Sequence, residues 1–134
     1  MLSSNKTDQD NRGLEQVLRM YAEAGNEHDI ETMMSFFTRD CVFYSSTGIG
    51  IAGTPYIGQK QVRQGLNHFL KICPDGRWRD LKYFVSGDRG VMEWTFTGTT
   101  TGGRVIDVVG CDLITFEDGK IAIKDSYRKS QALL

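Results

Sequence analysis

Residues 105–128 read VIDVVGCDLITFEDGKIAIKDSYR and contain the most informative turn of the chain. Asp118-Gly119 lies between two runs in which apolar residues recur at every second position. This dipeptide favours the two-residue turn of a β-hairpin. The sequence therefore predicts two antiparallel strands, at 105–116 and at 121–128.

Alternation assigns the side chains of this hairpin to two faces. One face of the second strand carries Ile121, Ile123, Asp125 and Tyr127, and one face of the first carries Ile106, Val108, Gly110, Asp112, Ile114 and Phe116. With a two-residue turn, Asp112 lies directly opposite Asp125. Repulsion and desolvation disfavour two charges there, so we predict a coupled pair of carboxyl groups that keeps a proton near neutral pH.

Two alternatives to this carboxyl pair stay open. One or both aspartates would instead cap a buried backbone group or pair with an arginine. A β-bulge, or a turn of three residues instead of two, would also break the facing geometry, because one extra residue changes which side chains are opposed.

The preceding chain supplies the rest of an α+β domain. Two further strands are predicted at 78–86 and 91–99, and the tight turns between consecutive strands make them antiparallel. Apolar residues recur at helical spacing in three earlier segments, at 14–26, 29–37 and 62–73. A short strand at 41–45 and a glycine-rich loop at 47–58 separate the second and third helices.

Length and composition define the class of protein. The chain has 134 residues, 40% of them hydrophobic, which fits a single globular domain. Its formal net charge of -1 disfavours nucleic-acid binding, because there is no excess of basic residues to neutralise phosphates. No apolar run reaches the roughly 18 residues of a membrane helix. Three cysteines without a Cys-x-x-Cys pair indicate reduced thiols and a cytoplasmic location. We predict a mobile tail at 1–10, one domain at 11–130 and a tail at 131–134.

Both faces of the strand at 105–116 are mostly apolar. The second face carries Val105, Val109, Cys111 and Leu113, with Asp107 among them. A sheet with two apolar faces needs two covers. Helices cover one face, and we predict that a second copy of the chain covers the other in a homodimer.

Several side chains are candidates for the wall of a pocket for a small apolar molecule. Trp94 and Phe96 share one face of their strand, where core packing and pocket lining are both consistent with the pattern. Tyr21 lies on the apolar stripe of the first helix, and its hydroxyl needs a partner, either a ligand oxygen or a backbone carbonyl. We assign to the same pocket wall Ser45, Gly110, Ile114 and Tyr127.

The order helix, helix, strand, helix and four strands resembles the nuclear transport factor 2-like superfamily, most closely its ketosteroid isomerase-like and SnoaL-type polyketide cyclase-like members. The resemblance covers residues 11–130. It is carried by the motifs Asp29-Ile30-Glu31, Phe37-Thr38-Arg39-Asp40, Gly98-Thr99 and residues 116–121 followed by Asp125-Ser126-Tyr127. It implies a cone-shaped, curved antiparallel sheet with three helices of the N-terminal half closing a pocket, as in a cystatin-like roll. It also implies a homodimer, and we expect no cofactor.

The resemblance also implies roles for individual residues. Ketosteroid isomerases use a tyrosine and a protonated aspartic acid as an oxyanion hole, and these positions resemble Tyr21 and Asp112. The position of their general base corresponds to Ser45, which is not a base at neutral pH. In limonene epoxide hydrolase-like members, an Asp-Arg-Asp set corresponds to Asp125 with Trp94 and Phe96, so that set is incomplete.

The sequence therefore supports two classes of function. The first is an enzyme that acts on an apolar, carbonyl-bearing molecule by isomerisation, cyclisation or dehydration, with Asp112, Asp125 and Tyr21 as catalytic residues. An epoxide hydrolase-like enzyme is a variant of this class. The second is a non-catalytic binding or dimerisation module, which Ser45 favours. Two carboxyl groups on apolar faces favour the enzyme.

Overall fold

The computed structural model describes residues 2–130, with side chains from residue 7 onward. Three helices and six strands follow one another in the order α1 (Leu2–Asn26), α2 (Ile30–Ser35), β1 (Phe37–Tyr44), β2 (Pro55–Ile57), α3 (Gly58–Ile72), β3 (Arg77–Ser86), β4 (Arg89–Thr99), β5 (Val105–Glu117) and β6 (Lys120–Arg128). The predicted α+β class and curved sheet are confirmed. The predicted tail at 131–134 lies outside the described residues.

The six strands form one sheet in the order β2-β1-β6-β5-β4-β3. The pairs β3–β4, β4–β5 and β5–β6 are antiparallel, as the tight turns predict. The pair β1–β6 is parallel, so the sheet combines one parallel pair with the predicted antiparallel strands. A parallel pair needs a long crossover, and here the intervening chain includes α3 and the four strands β2 to β5.

Helix α1 differs from the prediction at its N-terminus. Residues 2–10, predicted as a mobile tail, are helical, and they contain neither glycine nor proline to end the helix early. Near the other end, the Asn26 side chain accepts a hydrogen bond from the backbone N–H of Trp78 at 2.7 Å and donates one to the Trp78 carbonyl at 3.0 Å. These bonds fix α1 to the first residues of β3.

Helix α2 begins where the sequence indicates. The carboxylate of Asp29 accepts hydrogen bonds from the backbone N–H of Thr32 at 3.2 Å and from its hydroxyl at 2.6 Å. This cap satisfies one of the backbone donors that have no partner within a helix. The buried Met33 and Met34 then pack into the core.

The β5–β6 hairpin contains a bulge that changes the faces of its second strand. Asp118 and Gly119 have φ angles of 51° and 77°, as a type I′ turn requires. Beyond the turn, Phe116 pairs with Ile121, but the next residue of β5, Thr115, pairs with Ile123. Ala122 is therefore an extra residue, and from Ile123 onward each side chain of β6 lies on the face opposite to the one predicted.

The core lies between the helices and the concave face of the sheet. Fully buried side chains come from all layers, among them Leu18, Phe37, Val62, Phe96, Ile114 and Ile121. Of the residues that the structure describes, no helix has the length and hydropathy to cross a bilayer.

Candidate functional site

A cavity of about 410 Å³ lies between the concave face of the sheet and helices α1 and α3. Its wall is largely aromatic, with side chains from Phe43, Tyr56, Phe69, Trp78, Trp94 and Phe96. Three of these rings form one cluster, in which the Phe96 centroid lies 5.1 Å from that of Phe69 and 5.0 Å from that of Trp78. Such a wall suits a flat, apolar ligand.

A buried ion pair occupies one part of the cavity wall. The ammonium Nζ of Lys124 lies 2.6 Å from Oδ2 of Asp112, and the two side chains are 9% and 1% exposed. The Ser126 hydroxyl donates a hydrogen bond of 2.6 Å to Oδ1 of the same carboxylate. Each Asp112 oxygen therefore accepts one short, charge-assisted hydrogen bond.

The bulge produces this arrangement directly. In the observed register, Asp112 lies opposite Ser126. Lys124 lies opposite Ile114, which is the next residue after Asp112 on the inner face of β5. The long Lys124 side chain reaches diagonally to Asp112, within the range of neighbours across a strand pair. All three polar groups consequently face the cavity.

Tyr21 completes the polar cluster from helix α1. The Lys124 ammonium lies 5.3 Å from the centroid of the Tyr21 ring and 5.6 Å from that of Phe43, both within the range of a cation–π contact. Tyr21 is 3% exposed and packs edge-on against Phe37. The ammonium group is thus enclosed by one carboxylate and two aromatic rings.

Burial and charge determine which groups hold protons. Burial raises the pKa of Tyr21 to about 12, with the Asp112 charge adding to the rise and Lys124 opposing it. For Lys124, burial alone would lower the pKa, but the charge of Asp112 and the contacts with Asp112 and Tyr21 outweigh it, so the pKa is raised. Near neutral pH, Tyr21 is therefore a neutral hydrogen-bond donor and Lys124 a cation.

The structure brings together five of the predicted site residues. The residues that line the cavity are Tyr21, Ser45, Trp94, Phe96 and Asp112. Their catalytic or binding roles stay predictions. The structure therefore supports the placement that the sequence gives to the inward-facing strands and to the first helix.

The predicted pair of carboxyl groups is wrong. Asp125 lies opposite Leu113 on the outer face of the sheet, where its Oδ2 accepts a hydrogen bond of 3.2 Å from the Tyr127 hydroxyl. Asp112 instead pairs with a cation, so no proton shared between two acids is needed. The Asp-Arg-Asp comparison with epoxide hydrolases loses its remaining member as well, because Asp125 does not line the cavity.

Three other residues also lie elsewhere than predicted. Tyr127 is 53% exposed and, with Gly110, lines a shallow depression on the outer face. The inner side of Gly110 is covered by the Trp94 ring, because a Cβ at this glycine would lie 2.5 Å from the ring. Ile114 is fully buried in the core and is not part of the cavity wall.

Three polar residues of β6 that line the cavity were missed from the sequence, namely Lys124, Ser126 and Arg128. Strict alternation placed them on the other face of β6. No glycine marks the bulge at Ala122, so the pattern contains no local signal for it. One available signal is chemical, because a buried Asp112 needs a partner and Lys124 is close in the hairpin.

Comparisons with known proteins agree with this fold. The model of the SnoaL-like domain matches residues 17–123. A protein from Xanthomonas campestris pv. campestris assigned as a polyketide cyclase is 19% identical, with 88% of this chain and 91% of that chain covered and a TM-score of 0.78. An NTF2-like protein of unknown function from Mesorhizobium loti is 22% identical, with 90% and 93% covered and a TM-score of 0.74.

A further similar structure is TerC, which was co-crystallised with polyporic acid. It is 19% identical, with 87% of this chain and 92% of that chain covered and a TM-score of 0.76. No curated protein sequence matches the chain significantly. The solved structures establish the fold, and the match to the domain model, which spans most of the chain, establishes the family. This protein belongs to the SnoaL-like domain family, within the nuclear transport factor 2-like fold that its sequence resembles.

Proposed function

We propose that this protein is an acid–base enzyme that isomerises, cyclises or dehydrates a small apolar molecule bearing a carbonyl group. The observation that carries the proposal is the buried Lys124–Asp112 ion pair beside Tyr21, in the wall of an aromatic cavity. A similar fold in a protein assigned as a polyketide cyclase supports the same class of reaction. No cofactor is needed for this chemistry.

The ion pair is better explained by function than by stability. Removing two charges from water costs several kcal/mol per ion, and apolar replacements of buried ion pairs are often neutral or stabilising, by about 1–4 kcal/mol. Lys124 and Asp112 are both less than a tenth exposed. A polar cluster that contributes little net stability, placed in the wall of a cavity, is a good candidate for chemistry.

The donors of this cluster suit a carbonyl oxygen. The ammonium group of Lys124 has three N–H donors, and only one is needed for Asp112. The Tyr21 hydroxyl keeps its proton at neutral pH because its pKa is about 12. A carbonyl oxygen between these two groups gains most when it becomes an enolate, because fixed donors stabilise developing negative charge.

Asp112 is the proton acceptor of the proposed reaction. Its carboxylate has about four lone-pair sites, of which Lys124 and Ser126 occupy two. When Asp112 takes the proton α to the carbonyl group, the C–H electron pair forms a C=C bond and the carbonyl π pair moves to oxygen. In an isomerisation, the enolate recovers the proton at another carbon. In a cyclisation, it attacks a second carbonyl carbon, whose oxygen takes the π pair and then the proton from Asp112. In a dehydration, it expels a β-hydroxyl group, which leaves as water with the proton from Asp112.

A non-catalytic binding module remains the second candidate. It is favoured by Ser45, which stands where ketosteroid isomerases have their base, and by the two hydrogen bonds that already engage Asp112.

A cytoplasmic location is also proposed, since the described Cys41, Cys73 and Cys111 are free thiols.

Binding and chemistry are tested in sequence. Steroids, polyketides, terpenoids and polyporic acid, the last because TerC was crystallised with it, are screened for an increase in the melting temperature. Stabilising ligands with a carbonyl group are then incubated with the protein in D₂O, and exchange of their α-protons is followed by ¹H NMR. Exchange faster than in buffer supports the enzyme, whereas stabilisation without exchange or product supports the binding module.

Matched variants assign the exchange to the site. Asp112→Asn and Lys124→Met should each lower the exchange rate by about 10²-fold or more, the usual contribution of a positioned acid–base group. Asp125→Asn is the control, because this carboxyl group lies on the outer face, and it should exchange like the wild type. An Asp125→Asn variant as slow as Asp112→Asn would contradict the proposed mechanism.

A further inference from the structure

We propose that the ligand of this cavity is an anion at neutral pH, and that Arg128 and the indole N–H of Trp94 bind its acidic group. The inference rests on the proposed function and deepens it, because it names the substrate class: an apolar ring compound with a carbonyl group and one carboxylate or comparable acid.

Arg128 is a cation that the described side chains leave unpaired. It lines the cavity from the inner face of β6 and is half-buried. Neither an ion pair nor a hydrogen bond engages its guanidinium among residues 7–130. Its charge is nevertheless felt by the buried thiol of Cys73, on the α3 side of the cavity. Arg128 also borders the shallow depression on the outer face, so it lies at the edge of the cavity, where its guanidinium group is available to a bidentate acceptor.

The Trp94 indole supplies a second donor without a partner. Trp94 lines the cavity and is only 7% exposed, yet its Nε1 has no hydrogen-bond acceptor in the described part of the chain. Buried N–H groups are nearly always paired, so this donor calls for an acceptor that the protein itself does not supply. A ligand oxygen would provide it once a neighbouring group moves aside, because Nε1 itself is covered.

The register places these two donors in one row. Trp94 pairs with Gly110 on β5, and Gly110 pairs with Arg128 on β6. Gly110 has no side chain, and the Cζ2 and Cη2 edge of the Trp94 ring lies over it. Cζ2 neighbours the ring carbon that carries Nε1, so the indole N–H lies on the same edge. Trp94 and Arg128 are thus separated, across the strands, only by a residue without a side chain.

The charges of the lining residues also favour an anion. The Asp, Glu, Lys and Arg side chains in the wall are Asp112, Lys124 and Arg128, which leaves one positive charge in excess among them. Lys124 and Asp112 neutralise each other within their ion pair. Arg128 follows Lys124 by four residues, about 13 Å along a strand. The unneutralised charge is therefore separate from the proposed reacting centre, where it can bind an acidic group without occupying the acid–base residues.

A matched pair of fluorescent probes tests the inference without knowledge of the substrate. 8-Anilinonaphthalene-1-sulfonate and N-phenyl-1-naphthylamine have the same rings, but only the first carries an anionic group. We expect one site per chain and at least 10-fold tighter binding of the sulfonate, which corresponds to about 1.4 kcal/mol. The preference should weaken with added salt, because salt screens the guanidinium charge.

Variants locate the preference. Arg128→Met should weaken sulfonate binding about 10-fold and leave the neutral probe within about 2-fold. Trp94→Phe, which keeps an aromatic ring but removes the N–H, should weaken the sulfonate more than the neutral probe. Arg39→Met removes an exposed arginine from β1 and should change neither.

The outcomes separate this inference from the proposed function. Equal affinities for the two probes, or a sulfonate preference that survives in Arg128→Met, would overturn the inference while leaving an apolar binding cavity intact. Failure of both probes to bind would overturn the inference as well. The proposed acid–base chemistry is decided separately, by proton exchange in the Asp112 and Lys124 variants.

Discussion

Replacing Lys124 by methionine should destabilise the protein strongly, and a second substitution at Asp112 should reverse the loss. Methionine preserves the length and apolar stem of lysine but leaves the Asp112 carboxylate, 1% exposed, without its counter-ion. Removing one partner of a buried ion pair costs about 3–5 kcal/mol. In a domain of this size that corresponds to a melting temperature lower by about 10–20 °C.

The double variant Asp112→Leu/Lys124→Met replaces the pair by apolar side chains of similar size. Such replacements are neutral or stabilising by about 1–4 kcal/mol in other proteins, because no charge is left buried. We therefore expect the double variant to melt at or above the wild-type temperature. Thermal unfolding followed by circular dichroism and urea titration of the two single variants, the double variant and the wild type measure the cycle.

Two results would refute this reasoning. One is a Lys124→Met variant that loses less than about 1 kcal/mol, the range of an exposed pair. The other is a double variant no more stable than the single one, which would mean that the loss arises from packing around Lys124. The double variant should in addition show no proton exchange above buffer, which would separate the role of the pair in chemistry from its role in stability.

Two further predictions concern pH and assembly. The pKa of Tyr21 is about 12 in the folded protein against an ordinary value of 10.0, so the folded state holds this proton more tightly than the unfolded state. The free energy of unfolding should therefore fall by up to about 3 kcal/mol as the pH rises from 10 to 12. Urea titrations at these pH values should show a smaller fall in Tyr21→Phe than in the wild type. An equal fall in the two proteins would contradict the raised pKa of Tyr21. The outer face of the sheet exposes Val105 by 74% and Val109 by 47%, and we propose that a second copy covers it. Light scattering at micromolar concentration should give a dimer that Val109→Lys dissociates, whereas a wild-type monomer would contradict the proposal.

The fold was largely predictable because its signals are local. Asp118-Gly119 marks the hairpin, Asp29 caps α2, and helical spacing of apolar residues marks the three helices. The parallel pairing of β1 with β6 was not predictable in this way, because it joins segments separated by most of the chain. Local patterns carry little information on such a contact.

The candidate site was predictable only in part, for a specific physical reason. Tyr21 and Asp112 follow from the family resemblance, and Trp94 and Phe96 follow from alternation on a regular strand. Lys124 was placed on the wrong face because alternation holds only while each residue has one partner, and Ala122 has none. The same extra residue moved Asp125 out of the cavity.

The bulge at Ala122 determines which of two sets of side chains on β6 faces the interior of the protein. With the extra residue, the strand presents to the interior an ammonium, a hydroxyl and a guanidinium group, and to the exterior a carboxyl and a phenol group. Without a change in any of those five residues, a shift of one position would exchange the two sets and convert a cationic chamber into an acidic one. Insertions and deletions at this hairpin are therefore a short route by which one scaffold can change the chemistry of its interior.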